Sequence, residues 1–169
     1  MYKMILDLIL ILTSLPFEMI NSALVAYIHY LSFMVCFGAL IFERISLKSD
    51  PNRKEAISMV VADIIYGIAG VALLVSGIYR VIKFGQGSEF YTQNPIFWTK
   101  IIIFALVGSL SLYPTITYVL WAIPLSKGNL PEVSLNLVSR LRLIINIELF
   151  GFASIPLLAT FMARGVGLS

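Results

Sequence analysis

One histidine, His29, and one cysteine, Cys36, supply all the imidazole and thiol in this chain. A single cysteine excludes a disulfide framework within the chain and any thiolate cluster around a metal. In its apolar segment Cys36 reads as a small packing residue. A single histidine excludes a metal site built on a histidine pair, and so excludes bis-histidine haem ligation within one protomer. Charge is also scarce: Asp, Glu, Lys and Arg make up 12% of the residues, against about 25% in soluble domains. The net charge is only +3, and no basic patch has the density that phosphate binding needs, so nucleic acid is not an expected partner. No Gly-rich nucleotide loop and no soluble electron-transfer motif is present.

Apolar side chains are what the chain has. They make up 59% of the residues, and the mean hydropathy is +0.94. A soluble fold could not hide that much apolar surface, so lipid is the solvent for most of the chain. A hydrocarbon core about 30 Å thick takes around 20 residues of helix, and four segments qualify, at about 22–42, 57–82, 96–123 and 143–163. Ser49-Asp50-Pro51-Asn52, Gly85-Gln86-Gly87-Ser88 and Lys127-Gly128-Asn129 mark short connections between them. Short loops make successive helices antiparallel neighbours. The expected fold class is therefore all-α, an integral membrane four-helix up-down bundle over residues 21–169.

Residues 1–20 hold an apolar stretch of about eleven residues, interrupted by Asp7 and closed by Pro16. That is too short to span, and it reads as an N-terminal extension forming a short helix on the membrane surface or against the bundle. Lys and Arg counts set orientation. Arg44, Lys48, Arg53, Lys54, Lys127, Arg140 and Arg142 fall on one side, and Lys3, Arg80, Lys83, Lys100 and Arg164 on the other. The excess places the first side in the cytoplasm and both termini away from it.

Ionisable groups within a span cost about 2.5–3.5 kcal/mol each on insertion scales, so they are expected inside the bundle with partners. They fall into two layers. On the basic-loop side, Asp63, Asn146 and Glu148 lie at nearly the depth of Arg44, Arg140 and Arg142, and Arg44 and Arg142 are expected to compensate Asp63 and Glu148. The same residues suit a structural latch, a proton relay or catalytic acid work. Towards the other side, His29 lies roughly 10 Å into the first helix, at about 1.5 Å per residue. Arg80 and Lys83 close the second helix there, and Lys100, after Phe97-Trp98, opens the third. A neutral imidazole can ligate haem iron and fixed cations can hold propionates; the same cations also suit helix ends as snorkelling anchors.

Small and polar residues recur at helical spacing: Ser22, Ala26, His29, Ser32, Cys36 and Ala39 in the first helix, Asp63, Gly67, Gly70 and Gly77 in the second. Gly108 and Ser111 in the third, with Glu148, Gly151 and Ser154 in the fourth, extend the pattern. Such stripes let helices approach closely or leave room for a flat cofactor. Tyr113-Pro114 is expected to kink the third helix.

ALVAYIHYLSFMVCFGALIFER, ADIIYGIAGVALLVSGIYRVIKFGQGSEFY, NPIFWTKIIIFALVGSLSLYPT and RLRLIINIELFGFASIPLLATFMARG together resemble a bacterial membrane family of unknown function, domain-of-unknown-function family 2214. The family is common in cyanobacteria and proteobacteria, and the likeness covers about residues 22–166. More distantly, the chain is similar to HemJ-type protoporphyrinogen oxidases and the membrane part of copper-resistance D proteins. His29, Gly38 and Arg44 repeat the first-helix order of the HemJ type with a spacing one residue shorter. Phe97, Trp98 and Lys100 match its third helix, and Arg140, Arg142, Asn146 and Glu148 its last, with Ile147 splitting the Asn-Glu pair.

This resemblance implies haem b, with His29 as an axial ligand of the iron and Arg80, Lys83 and Lys100 around the cofactor. Coordination would be five-coordinate, or completed by Met34, Met162, a lysine or His29 of a second protomer in a homo-oligomer. As an enzyme the protein would be a HemJ-like membrane oxidoreductase. The alternative is a non-catalytic accessory or assembly subunit of a larger photosynthetic or respiratory complex, in a bacterial inner membrane or thylakoid. A proton-linked transporter using Asp63 and Glu148 is disfavoured, because one four-helix unit without repeats offers little for alternating access.

Overall fold

The computed structural model describes residues 3, 5, 16–85 and 87–167, with Ser88 described by its backbone alone. Its helices are α1 (Phe17–Ser46), α2 (Arg53–Lys83), α3 (Ser88–Thr92), α4 (Pro95–Ser126) and α5 (Leu135–Ala163). No strand occurs among the described residues. Four of these helices are long and apolar enough to cross a membrane: α1, α2, α4 and α5, with 30, 31, 32 and 29 residues. At 1.5 Å per residue each is about 45 Å long, well beyond the roughly 30 Å hydrocarbon core.

The extra turns come from local chemistry at the polar ends. Asn52 Oδ1 accepts from the Glu55 amide at 3.0 Å, and Glu55 Oε2 accepts from the Asn52 amide at 2.7 Å. This reciprocal capping box starts α2 at Arg53, ahead of the apolar run. Ser134 Oγ accepts from the Leu137 amide at 3.2 Å, so α5 begins at Leu135 and carries Arg140 and Arg142 as helix rather than loop. Residues 17–20, expected in the extension, belong to α1. The expected interfacial helix falls on residues 1–15, of which all but 3 and 5 lie outside the described residues. The five-residue α3 had no sequence signal of its own.

The helices stand at four corners. α1 packs against α2 and α5, and α4 packs against α5 and α2; across the α2–α5 diagonal the Tyr66 and Phe152 rings meet edge-on with centroids 6.3 Å apart. The most extensive contacts join the sequential pairs α1–α2 and α4–α5, so the bundle is two antiparallel hairpins laid together. Cys36, Leu40, Met59, Tyr118, Leu141 and Ile145 fill the middle.

The stripe on α2 is rotated from the one expected. Gly67 and Gly70 have nothing near them, and the inward face is Met59, Asp63, Tyr66, Ala69, Leu73 and Ser76. Tyr66 fills the interior one helical step from the glycines. Of the expected stripe Gly77 does make a close approach, to His29 on α1, and a tighter one lies between α4 and α5, where a Cβ on Gly151 would stand 2.5 Å from Val107 Cγ2. Pro114 is buried inside a helix that runs without a break from Pro95 to Ser126, so the chain stays helical through Tyr113-Pro114.

A latch ties the end of the described chain to the start of α4. Asn94 is fully buried, its Oδ1 caps the Ile96 amide at 2.9 Å, and its Nδ2 donates to the Val166 carbonyl at 3.1 Å. Gly167 has φ +85°, and a Cβ there would meet Asn94 Oδ1 at 2.9 Å. Asn94→Ala removes the cap and the tether together. It is expected to destabilise the protein by about 1–2 kcal/mol, read by thermal unfolding in detergent.

Candidate functional site

His29 lies half-buried on α1. Because α1 starts at Phe17, the residue is twelve positions in, about 18 Å along the axis and deeper than the roughly 10 Å expected. Its Nδ1 is 3.1 Å from the Leu73 carbonyl oxygen and 3.1 Å from Ser76 Oγ, both on α2. A carbonyl oxygen can only accept, so Nδ1 carries the proton and Nε2 keeps its lone pair. Ser76 Oγ donates to the Ala72 carbonyl at 2.6 Å and is likewise free to accept from the ring. Gly77 makes the room: a Cβ there would be 3.0 Å from His29 Cε1.

Beside the ring is a cavity of about 290 Å³, lined by residues of all four spanning helices, among them His29, Gly77, Phe97, Lys100, Phe104 and Ile155. His29 and Lys100 are the two lining residues whose side chains carry a donor atom; the rest of the lining is apolar. Lys100 and Arg80 both lie within electrostatic range of His29. Lys100 Nζ sits 5.8 Å from the Phe97 ring centre. The Arg80 guanidinium is 4.9 Å from the Tyr30 ring centre and donates to its hydroxyl at 3.3 Å. Lys83 is exposed at the last position of α2 and does not line the cavity.

The expected set therefore separates: His29 and Lys100 share the cavity, Arg80 stands beside it, and Lys83 stays outside. The residues present suit a haem in donor chemistry, with one free imidazole nitrogen for iron and cations for carboxylates. Met34 and Met162 do not line the cavity, which leaves Lys100 as the one other donor within it. The volume is at the low end of the roughly 300–1,000 Å³ of ligand pockets, so an occupant is either small or only partly enclosed.

The basic-loop side differs from expectation. Neither Arg44 nor Arg142 pairs with Asp63 or Glu148; the one ion pair among the described residues is Lys48–Glu55 at 2.7 Å. Arg44 Nε donates instead to Asn146 Oδ1 at 2.6 Å, and Arg140 and Arg142 point outward. The physical reason is helix phase. Arg140 and Arg142 sit on exposed faces and Arg44 is half-buried, whereas the acids face inward.

Asp63, 5% exposed, accepts from Thr115 Oγ1 at 2.8 Å. Glu148 is 0% exposed, and neither carboxyl oxygen has a partner. A third acid joins them that sequence reasoning missed: Glu43, 1% exposed, with Oε1 unpartnered. At the end of an apolar run and beside Arg44, it looks in sequence like the charged end of a span. Its position was legible, because Cys36, Ala39 and Glu43 continue the inward stripe at spacings of three and four. Glu43 lies within electrostatic range of Asp63 and Glu148. The Tyr118 hydroxyl, fully buried and unpartnered, feels all three acids. Among the described residues no three His, Cys, Asp or Glu side chains are arranged to hold one metal ion.

The family model described as predicted membrane protein, DUF2214, matches residues 21–167. The chain belongs to the DUF2214 family. The DUF2214 match takes in His29, Lys100, the three inward acids and the Asn94 latch, so both polar layers lie within the family's own extent. No curated protein and no solved structure matches the chain. What the DUF2214 description establishes is a membrane protein, in agreement with the four spanning helices.

Proposed function

We propose that this DUF2214 protein binds haem b, or another tetrapyrrole, through Nε2 of His29. One observation carries the reading: the Leu73 carbonyl takes the Nδ1 proton, which leaves an imidazole lone pair beside an apolar cavity containing Lys100. A backbone carbonyl behind a ligating histidine fixes both tautomer and ring orientation, the usual support of a metal-bound imidazole. Lys100, with Arg80 nearby, would attract the carboxylates of such a ligand. The apolar remainder of the lining keeps water away. When bound, haem supplies one-electron chemistry, and the distant likeness to HemJ-type proteins makes a membrane oxidoreductase the enzymatic form of this reading.

The test is an absorption spectrum of detergent-purified protein, before and after dithionite. A Soret band that shifts on reduction is expected, and its loss or shift in His29→Ala assigns the ligand. Protein that stays colourless after haem reconstitution would sink the reading. Co-purification with a larger complex would then favour an accessory role.

A further inference from the structure

We infer that the carboxyl groups of Glu43, Asp63 and Glu148 form a proton-binding site in the basic-loop half of the bundle. The acids come from three helices, α1, α2 and α5, and α4 adds Tyr118 and Thr115 to the same interior. Glu43 Oε1 and both oxygens of Glu148 are buried without any hydrogen-bond partner, as is the Tyr118 hydroxyl. A carboxylate in such a place needs a donor or a counter-charge. The groups around it supply neither in sufficient number. Thr115 serves Asp63, and Ser111 Oγ donates to the Gly108 carbonyl. Cys36 Sγ is directed to the Tyr66 carbonyl at 3.7 Å. Of the nearby cations, Arg44 is held by Asn146 and Arg53 Nη2 donates to the Leu125 carbonyl at 3.4 Å.

A proton is the occupant that needs least. Carboxyl groups buried without donors in a dry interior hold protons, because unpaired charges are not tolerated there. A bound proton removes the charge that lacks a counter-ion. A metal ion would require converging ligands, and no group of three such ligands occurs among the described residues. The site is separate from the cavity at His29: Glu43 is fourteen residues further along α1, about 21 Å.

Infrared spectroscopy of the full chain in detergent at neutral pH tests this. Expected is the C=O stretch of a protonated carboxylic acid, displaced by deuteration and by carboxyl-13C glutamate. Glu18, Glu89 and Glu132 are exposed and Glu55 is paired with Lys48, which leaves Glu43 and Glu148 as the buried glutamates that the label reports. The band should weaken in Glu148→Gln and weaken further in Glu43→Gln/Glu148→Gln. Labelled wild-type protein without such a band overturns the proposal, and that arm needs no variant to fold. An unfolding temperature raised by sodium or lithium but not by choline, with no acid band, would instead assign the site to a metal cation.

Discussion

Gly151→Leu is expected to force α4 and α5 apart and to leave little natively folded protein. A Cβ at Gly151 would already stand 2.5 Å from Val107 Cγ2 and 3.6 Å from Ile103 Cγ2. Val107 is 3% exposed, and a β-branched side chain in a helix has essentially one χ1 rotamer, so it cannot swing aside. Overpacking by a methylene or two costs about 1–3 kcal/mol, which is the range expected for Gly151→Ala. Leucine should exceed it. In lipid the apolar tails solvate separated helices as well as their partners do, so close packing is what holds the pair together. Thermal unfolding in detergent reads the loss. The decisive arm is rescue: Val107→Ala should recover much of the stability lost in Gly151→Ala, a coupling that independent sites would not show. Additive losses would mean that the α4–α5 contact is not made through this pair.

If His29 ligates haem as proposed, Gly77→Val is expected to abolish that ligation while leaving the bundle folded. The added Cβ would be 3.0 Å from His29 Cε1 and 3.5 Å from Nδ1. The ring must therefore rotate off its contacts with Leu73 and Ser76, and the valine methyls occupy the cavity that Gly77 lines. Losing an oriented hydrogen bond of about 1 kcal/mol together with that space should weaken haem binding by more than about tenfold. The control lies two turns earlier on the same helix. Gly70→Val meets nothing within 4 Å and should keep both the Soret band and the unfolding temperature. Equal spectra from the two variants would show that the His29 cavity is not where pigment binds.

The four spans were legible because lipid imposes a length and a composition that few other environments demand. Their ends were less so. Hydropathy marks where the hydrocarbon stops, whereas the helix stops where its caps are, and Asn52-Glu55 and Ser134 extend α2 and α5 into the polar region. His29 and Lys100 could be paired from sequence since both sit on the same side of the membrane within reach of one another. The inward acids were harder. Depth along the sequence places Arg44 and Glu43 together, and only the 3.6-residue phase separates an arginine engaged with Asn146 from a glutamate in the core. The tautomer of His29 depends on a carbonyl from another helix, which no local pattern encodes.

The division into two hairpins has a consequence for biogenesis. Glu43, Asp63 and His29 enter the membrane with the first hairpin, whereas Lys100, Tyr118 and Glu148 arrive with the second. Until the halves dock, the first hairpin must sit in lipid with its acids uncovered. Both polar layers draw on both hairpins, so neither is complete until the two halves have docked.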